Sequence, residues 1–322
     1  MDKKIKFGIL STANIAMTQV IPAMLKTKYC QVMGIASRSS KKAENAAKQF
    51  QLPKYYCSYQ SLLDDMEIDA VYIPLPNHLH VEWAIKALRA GKHVLVEKPI
   101  ALSSSEANRL KDESKKHPKL KIMEAFMYKH HPQWIKTKKM IDNGDIGILK
   151  VIQSSFSFFD NKPESIVNNK ALGGGSLMDI GCYPISVARF LFDAEPIKIL
   201  ANIDYHPQFK VDSIASGILE FKEGYSTFFS SIHLAYNQQV KIFGTTGIIE
   251  FDVPFNPSNT VPSKIFYTKN EQKPETIEFE ICDQYTLQAD AFASAIMKDK
   301  DVSTSLEDAV NNMVVIERML EA

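Results

Sequence analysis

The chain has 322 residues, 45% of them hydrophobic and 23% charged, with 38 Lys and Arg against 37 Asp and Glu. That composition excludes a mainly disordered chain, and a net charge of +1 offers no basic excess to draw nucleic acid. The length suggests two domains of roughly 150 residues each.

Cys30, Cys57, Cys182 and Cys282 are scattered without CxxC spacing, the usage of a reduced intracellular protein. Lys3, Lys4 and Lys6 precede a charge-free run from Phe7 to Leu25. Ser11, Thr12, Asn14, Thr18, Gln19 and Pro22 interrupt that run, so neither a signal peptide nor a membrane span is expected, and the expected location is the cytoplasm.

Short apolar strands alternate with helical patterns through the first third. Ile5–Leu10 reads as a strand, Asn14–Lys26 as a helix, Val32–Ala36 as a strand and Lys41–Phe50 as a helix. Ala70–Pro74 and His93–Val96 are further strands, with a helix at Leu79–Ala90 between them. This is the pattern of a doubly wound parallel α/β sheet. From about Gly147 the strand-like runs follow one another directly: 148–159, 197–205, 214–221, 225–232, 240–243 and 248–253. Short turns between several of them favour antiparallel pairing, and 239–255 reads as a hairpin. Two helices close the chain, the last opened by a capping-box-like Ser305 and Asp308.

A doubly wound sheet binds ligands at the carboxyl ends of its strands. After the first strand comes Ser11-Thr12-Ala13-Asn14-Ile15-Ala16. Aligned on the dinucleotide fingerprint G-x-G-x-x-G/A, Ser11 and Ala13 take the first two glycine positions and Ala16 the third small position. After the second strand no acid stands ready for a ribose 2′-hydroxyl; Ser37 and Arg38 instead offer donors to a 2′-phosphate. NADP(H) is therefore expected over NAD(H).

Glu97-Lys98-Pro99 follows a later strand and puts a lysine at the sheet crest. Farther on, Gly173-Gly174-Gly175-Ser176 opens a helix, with Ser176 as its expected cap. Asp179 and Tyr183 are four residues apart on it, and Pro184 predicts an irregularity around Ile180–Gly181.

Glu97-Lys98-Pro99, the Asn77-His78-Leu79-His80 segment after Pro74-Leu75-Pro76, and the run through Asp179-x-Gly181-x-Tyr183 together resemble the Gfo/Idh/MocA oxidoreductases, over nearly the whole chain. Within them, the branch of glucose–fructose oxidoreductase, NADP-dependent xylose dehydrogenase and dimeric dihydrodiol dehydrogenase is the one resembled. The resemblance implies a Rossmann domain, residues 1–123, then an α+β substrate-binding and oligomerisation domain, residues 124–322, with an open-faced, largely antiparallel sheet. The boundary is expected between 122 and 147, and a homodimer through the second sheet. It implies a cofactor site of Ser11, Thr12, Ala13, Asn14, Ile15, Ser37, Arg38, Pro74, Leu75, Asn77, His80, Glu97 and Lys98, with a cis Lys98–Pro99 bond. By the same resemblance Lys98, Asp179 and Tyr183 are catalytic. Two departures stand out: Ser11 and Ala13 replace glycines, and Lys129 stands where relatives often carry Arg.

Oxidising a secondary alcohol needs a base for the hydroxyl proton. A phenol with its unperturbed pKa near ~10 needs a cation such as Lys98 beside it to serve. Tyr183 is the expected acid/base, Lys98 its electrostatic partner and Asp179 the positioner; Lys98 as proton carrier is the alternative. The expected substrate is a sugar, polyol or diol. A trans-dihydrodiol or dicarbonyl is the second substrate class, and a non-catalytic NADP sensor the reading of another kind. His131 suits substrate contact or packing equally. Phe156, Phe158 and Phe159 suit sheet or interface packing better than substrate stacking. His78 and His80 lack further ligands at metal spacing, so no metal is expected.

Overall fold

The computed structural model describes residues 4–322; Lys3 of the basic start lies outside the described residues. The chain forms two compact units, one of residues 1–127 with 283–310, the other of 128–282 with 311–322.

The first unit is built on a six-stranded sheet: β1 (Ile5–Leu10), β2 (Cys30–Ala36), β3 (Lys54–Tyr56), β4 (Ala70–Ile73), β5 (His93–Val96) and β6 (Ile122–Glu124). All neighbours are parallel, in the order β3-β2-β1-β4-β5-β6. The order reverses between β1 and β4, which makes their carboxyl ends the switch point. Phe7, Ile9, Ile35, Tyr72 and Leu95 are fully buried, as strands covered on both faces must be.

The helix expected over Asn14–Lys26 contains a π-helical turn, Ala16–Val20, before its α-helical part Ile21–Met24. Pro22 is the cause: it has no N–H to give the Thr18 carbonyl, so the ladder loosens ahead of it.

The expectation of one unit over 124–322 needs correcting. The helix Gln284–Met297 belongs to the first unit, where Phe292 meets the Phe7 ring at 6.2 Å and Ala289 and Ala293 join the same core. Asp283 caps that helix by accepting the N–H of Tyr285, and Asp290 accepts the N–H groups of Lys28 and Tyr29.

The second unit carries eight strands: β7 (Leu149–Phe159), β8 (Lys198–Tyr205), β9 (Asp212–Glu220), β10 (Tyr225–Ser231), β11 (His233–Gly244), β12 (Gly247–Phe251), β13 (Ser263–Lys269) and β14 (Glu275–Phe279). Their order is β14-β13-β12-β11-β7-β10-β9-β8, with β7–β10 the parallel pair in an otherwise antiparallel sheet. β11 runs longer than the expected 240–243, and β13 and β14 escaped the sequence reading. Burial alternates along β9 and β10, the mark of a sheet with one covered face. The helix Cys182–Phe192 packs on β7. Leu200, Ile218 and Phe229 stay 51%, 42% and 37% exposed. They line a concavity of about 630 Å³ with Gln153, Gln239 and Lys241.

Candidate active site

In the first unit the register brings the expected cofactor residues to one sheet edge. Leu10 pairs with Ala36, so Ser11 and Ser37 leave neighbouring strand ends side by side. Ile73 pairs with Val96, so Pro74 and Glu97 do the same on the other side of the switch.

Ser11 has φ 136, a conformation that L-residues rarely adopt and that the fingerprint's first glycine enters freely. The serine therefore carries backbone strain on the order of 1 kcal/mol or more. A helix start follows at once, and its first amides have no partner within the helix, which suits an anion. Ala16 is fully buried, as the position nearest the sheet requires. The turn thus fits a pyrophosphate despite the missing glycines. Ser37 is buried, and its Oγ accepts the Ser39 N–H at 3.2 Å. Arg38 is exposed, and among the described residues it enters no ion pair or side-chain hydrogen bond.

His80 was expected at the cofactor and is corrected here. It is fully buried, with Nε2 2.6 Å from the Leu75 carbonyl and Nδ1 2.8 Å from the Pro99 carbonyl. Burial pushes its pKa down to about 4 against the pull of those two acceptors. Its role is to tie the loop after β4 to the loop after β5.

The Lys98–Pro99 bond is cis. Glu97 is held from below by the Tyr72 hydroxyl, which donates to Oε1 at 2.7 Å, while Oε2 accepts the Lys98 N–H at 3.3 Å. Glu124, buried at the end of β6, accepts the Ile100 N–H at 2.7 Å. Burial first, then Glu97, pushes the Tyr285 hydroxyl up, while Lys98 pulls it the other way; the phenol therefore stands within electrostatic reach of both. Sequence reasoning missed Tyr72, Glu124 and Tyr285. Only Glu124 left a signal, an acid closing an apolar strand.

In the second unit a π-helical turn, Leu177–Gly181, runs into the helix Cys182–Phe192. The irregularity expected from Pro184 is this turn: the Cys182 N–H reaches back five residues to the Leu177 carbonyl. A Cβ at Gly174 would lie 2.5 Å from the Val167 carbonyl, and one at Gly175 1.9 Å from Asp212 Oδ1. Ser176 does not cap the helix; its hydroxyl donates to Ser230 Oγ at 2.7 Å. Asp212 takes that place and accepts the Leu177 N–H at 2.6 Å.

Asp179 is half-buried and Tyr183 5% exposed. The Tyr183 ring sits among Phe255, Phe156 and Tyr128, at centroid distances of 5.2, 5.6 and 6.0 Å. Phe156 thus packs the acid/base candidate, whereas Phe159 is 64% exposed. His131 takes the packing alternative: it is 1% exposed, its Nδ1 accepts the Gln133 N–H, and its Nε2 lies 3.3 Å from Cys282 Sγ. Lys129 lies 5.6 Å from the Phe190 ring centroid. Among the described residues no three His, Cys, Asp or Glu side chains group as metal ligands, and no helix is long and apolar enough to cross a membrane.

Comparison with known proteins adds relatives to this geometry. Residues 5–126 match the family model described as an oxidoreductase family with an NAD-binding Rossmann fold. Residues 134–250 match the GFO/IDH/MocA C-terminal domain. A D-xylose 1-dehydrogenase (NADP(+)) of Haloferax volcanii is 34% identical, over 98% of this chain and 96% of its own. A trans-1,2-dihydrobenzene-1,2-diol dehydrogenase of Xenopus laevis is 32% identical, over 76% of this chain and 74% of its own. The structure of a 3-ketoreductase from Actinomadura kijaniata, in complex with NADP and TDP-benzene, superposes with a TM-score of 0.91. That protein is 29% identical, over 99% of this chain and 98% of its own.

Proposed function

The chain belongs to the GFO/IDH/MocA oxidoreductase family, and from that premise we propose that it is an NADP-dependent enzyme interconverting a secondary alcohol and a carbonyl on a sugar or related cyclic polyol. The observation that carries the reading is the shared carboxyl edge of β1, β2, β4 and β5, where Ser11, Ser37, Pro74 and Glu97-Lys98 emerge together. The amides of Ala13, Asn14 and Ile15 suit the pyrophosphate, and Ser37 with Arg38 suits a 2′-phosphate. Pro74, Leu75, Asn77 and Glu97 flank the nicotinamide end.

The bound nicotinamide supplies a hydride acceptor or donor. Tyr183 exchanges the proton of the substrate hydroxyl, its ring held by Phe156, Phe255 and Tyr128. Lys98 stabilises the phenolate charge that forms, and Tyr72 holds the neighbouring Glu97 in place. Asp179 accepts hydrogen bonds from substrate hydroxyls and orients the reacting carbon. The same aromatic surround gives a second reading some footing, a trans-diol on an unsaturated ring, as in the Xenopus relative's name.

A fluorescence titration of NADPH beside NADH tests the cofactor assignment, followed by a screen of D-xylose, other aldoses and trans-diols with NADP+. Charge-assisted hydrogen bonds of about 1.5–3 kcal/mol translate into roughly ten- to a hundredfold preference for NADPH. Arg38→Ala removes most of that preference, and equal affinities in the unaltered protein would overturn the assignment.

The uncovered sheet face supports a homodimer, since Leu200 and its partner Ile218, with Phe229 two residues along β10 from Ile218's partner Thr227, leave an exposed apolar patch. Light scattering at micromolar concentration is expected to give twice the chain mass; a monomer counts against it. Cys30, Cys57, Cys182 and Cys282 are all free thiols, which supports a reducing compartment such as the cytoplasm.

A further inference from the structure

We propose that Asp212 is a positioning residue for the reaction: its carboxylate fixes the start of the helical segment that carries Asp179 and Tyr183, and so sets where those two side chains stand. The inference rests on the reading of Asp179 and Tyr183 as catalytic.

Asp212 opens β9, thirty-five residues beyond the helix start it holds, and is 4% exposed. Oδ2 accepts the Leu177 N–H at 2.6 Å. Oδ1 fills the space that a Cβ would need at Gly175, where the backbone has φ 118. The glycine run therefore lets the chain pass over the carboxylate, and the carboxylate takes the Leu177 amide that the turn leaves without a helical partner. No residue within the segment does this, because the Ser176 hydroxyl is spent on Ser230. The Asp179 N–H bonds to the Gly175 carbonyl at 3.0 Å, so any shift of the Gly175–Leu177 backbone is passed directly to Asp179 and then along the helix to Tyr183.

The energetics separate this role from simple fold support. Burial pushes the Asp212 carboxyl up to about 6, so at neutral pH, where the group is ionised, holding its charge inside costs the folded state stability relative to the unfolded chain. An asparagine of the same shape escapes that cost yet offers a single acceptor oxygen. Its NH2 must then face either a backbone N–H or the Gly175 backbone, and the helix start must move.

The test compares Asp212→Asn with the unaltered protein by three readouts. These are the melting temperature, hydrogen exchange of the Leu177–Gly181 amides, and oxidation of the best sugar of the screen, D-xylose in the first instance. The expected result is a melting temperature unchanged or higher, faster exchange at Leu177–Gly181, kcat lower by roughly ten- to a hundredfold and NADPH affinity unchanged. Exchange and kcat both at the unaltered level would overturn the inference. So would a fall in melting temperature and NADPH affinity alongside kcat, which would mark Asp212 as general fold support. The exchange readout needs no substrate. Tyr183→Phe, run in parallel, separates the two claims. Full activity there removes the catalytic reading and this inference with it. Loss there with full activity in Asp212→Asn removes the inference alone.

Discussion

Replacing Tyr183 with phenylalanine lowers kcat by about two to four orders of magnitude, the usual worth of a positioned acid/base. The substitution deletes one hydroxyl and keeps the ring. Phe255, Phe156 and Tyr128 still surround that ring, so the melting temperature and NADPH affinity stay at their original values. The effect falls on kcat because the lost interaction is made as the proton moves, while the substrate's ground-state contacts remain. Steady-state kinetics with the best sugar of the screen, together with an NADPH titration, checks it. A variant retaining near-full kcat would transfer the proton-carrying role to Lys98.

Lys98→Met lowers kcat by about two to three orders of magnitude, the scale of a lost charge stabiliser at a reacting group. Methionine keeps the length and apolar stem of the side chain and removes the ammonium. The Tyr72–Glu97 hydrogen bond does not involve the Lys98 side chain, so that bond is kept in the variant. The pH profile then distinguishes the two roles for Lys98. If it stabilises the Tyr183 phenolate, its loss makes that phenolate harder to form, and the rise of kcat/KM for alcohol oxidation moves to higher pH. If Lys98 carries the proton, the profile loses that rise, and added small amines restore part of the rate.

The parts of this site that could be read in the sequence are those set by neighbours along the chain. The β1 turn, the lysine after β5, and the irregularity ahead of Pro184 all follow from residues within one or two turns of each other. Pro184 could be read because a missing N–H acts on the carbonyl four residues back, whatever the rest of the fold does. Asp212 could not be read, because it stands thirty-five residues from the amide it binds and meets it through β9 alone. Ser176 was the plausible local cap, and the nearby Ser230 hydroxyl drew it away. His80 misled for the opposite reason. It sits in a segment that does border the expected cofactor edge, yet its side chain turns inward to the Leu75 and Pro99 carbonyls. The helix Gln284–Met297 gave no warning of its destination. Its apolar residues would suit either core, and only the fit of Phe292 on Phe7 decides.

That last fit has a consequence for how the protein is made. The first unit cannot close its core until residues 283–310 have left the ribosome, because Ala289, Phe292 and Ala293 complete the cluster around Phe7, Met24 and Cys30. Residues 128–282 are synthesised in between, which at roughly 5–20 residues per second takes about 8–30 s. During that interval the parallel sheet stands with one apolar seat uncovered, and the intervening unit has every residue it needs except its last helical stretch. Translation therefore imposes an order on folding, in which the N-terminal segment waits for a late piece of chain to complete its core.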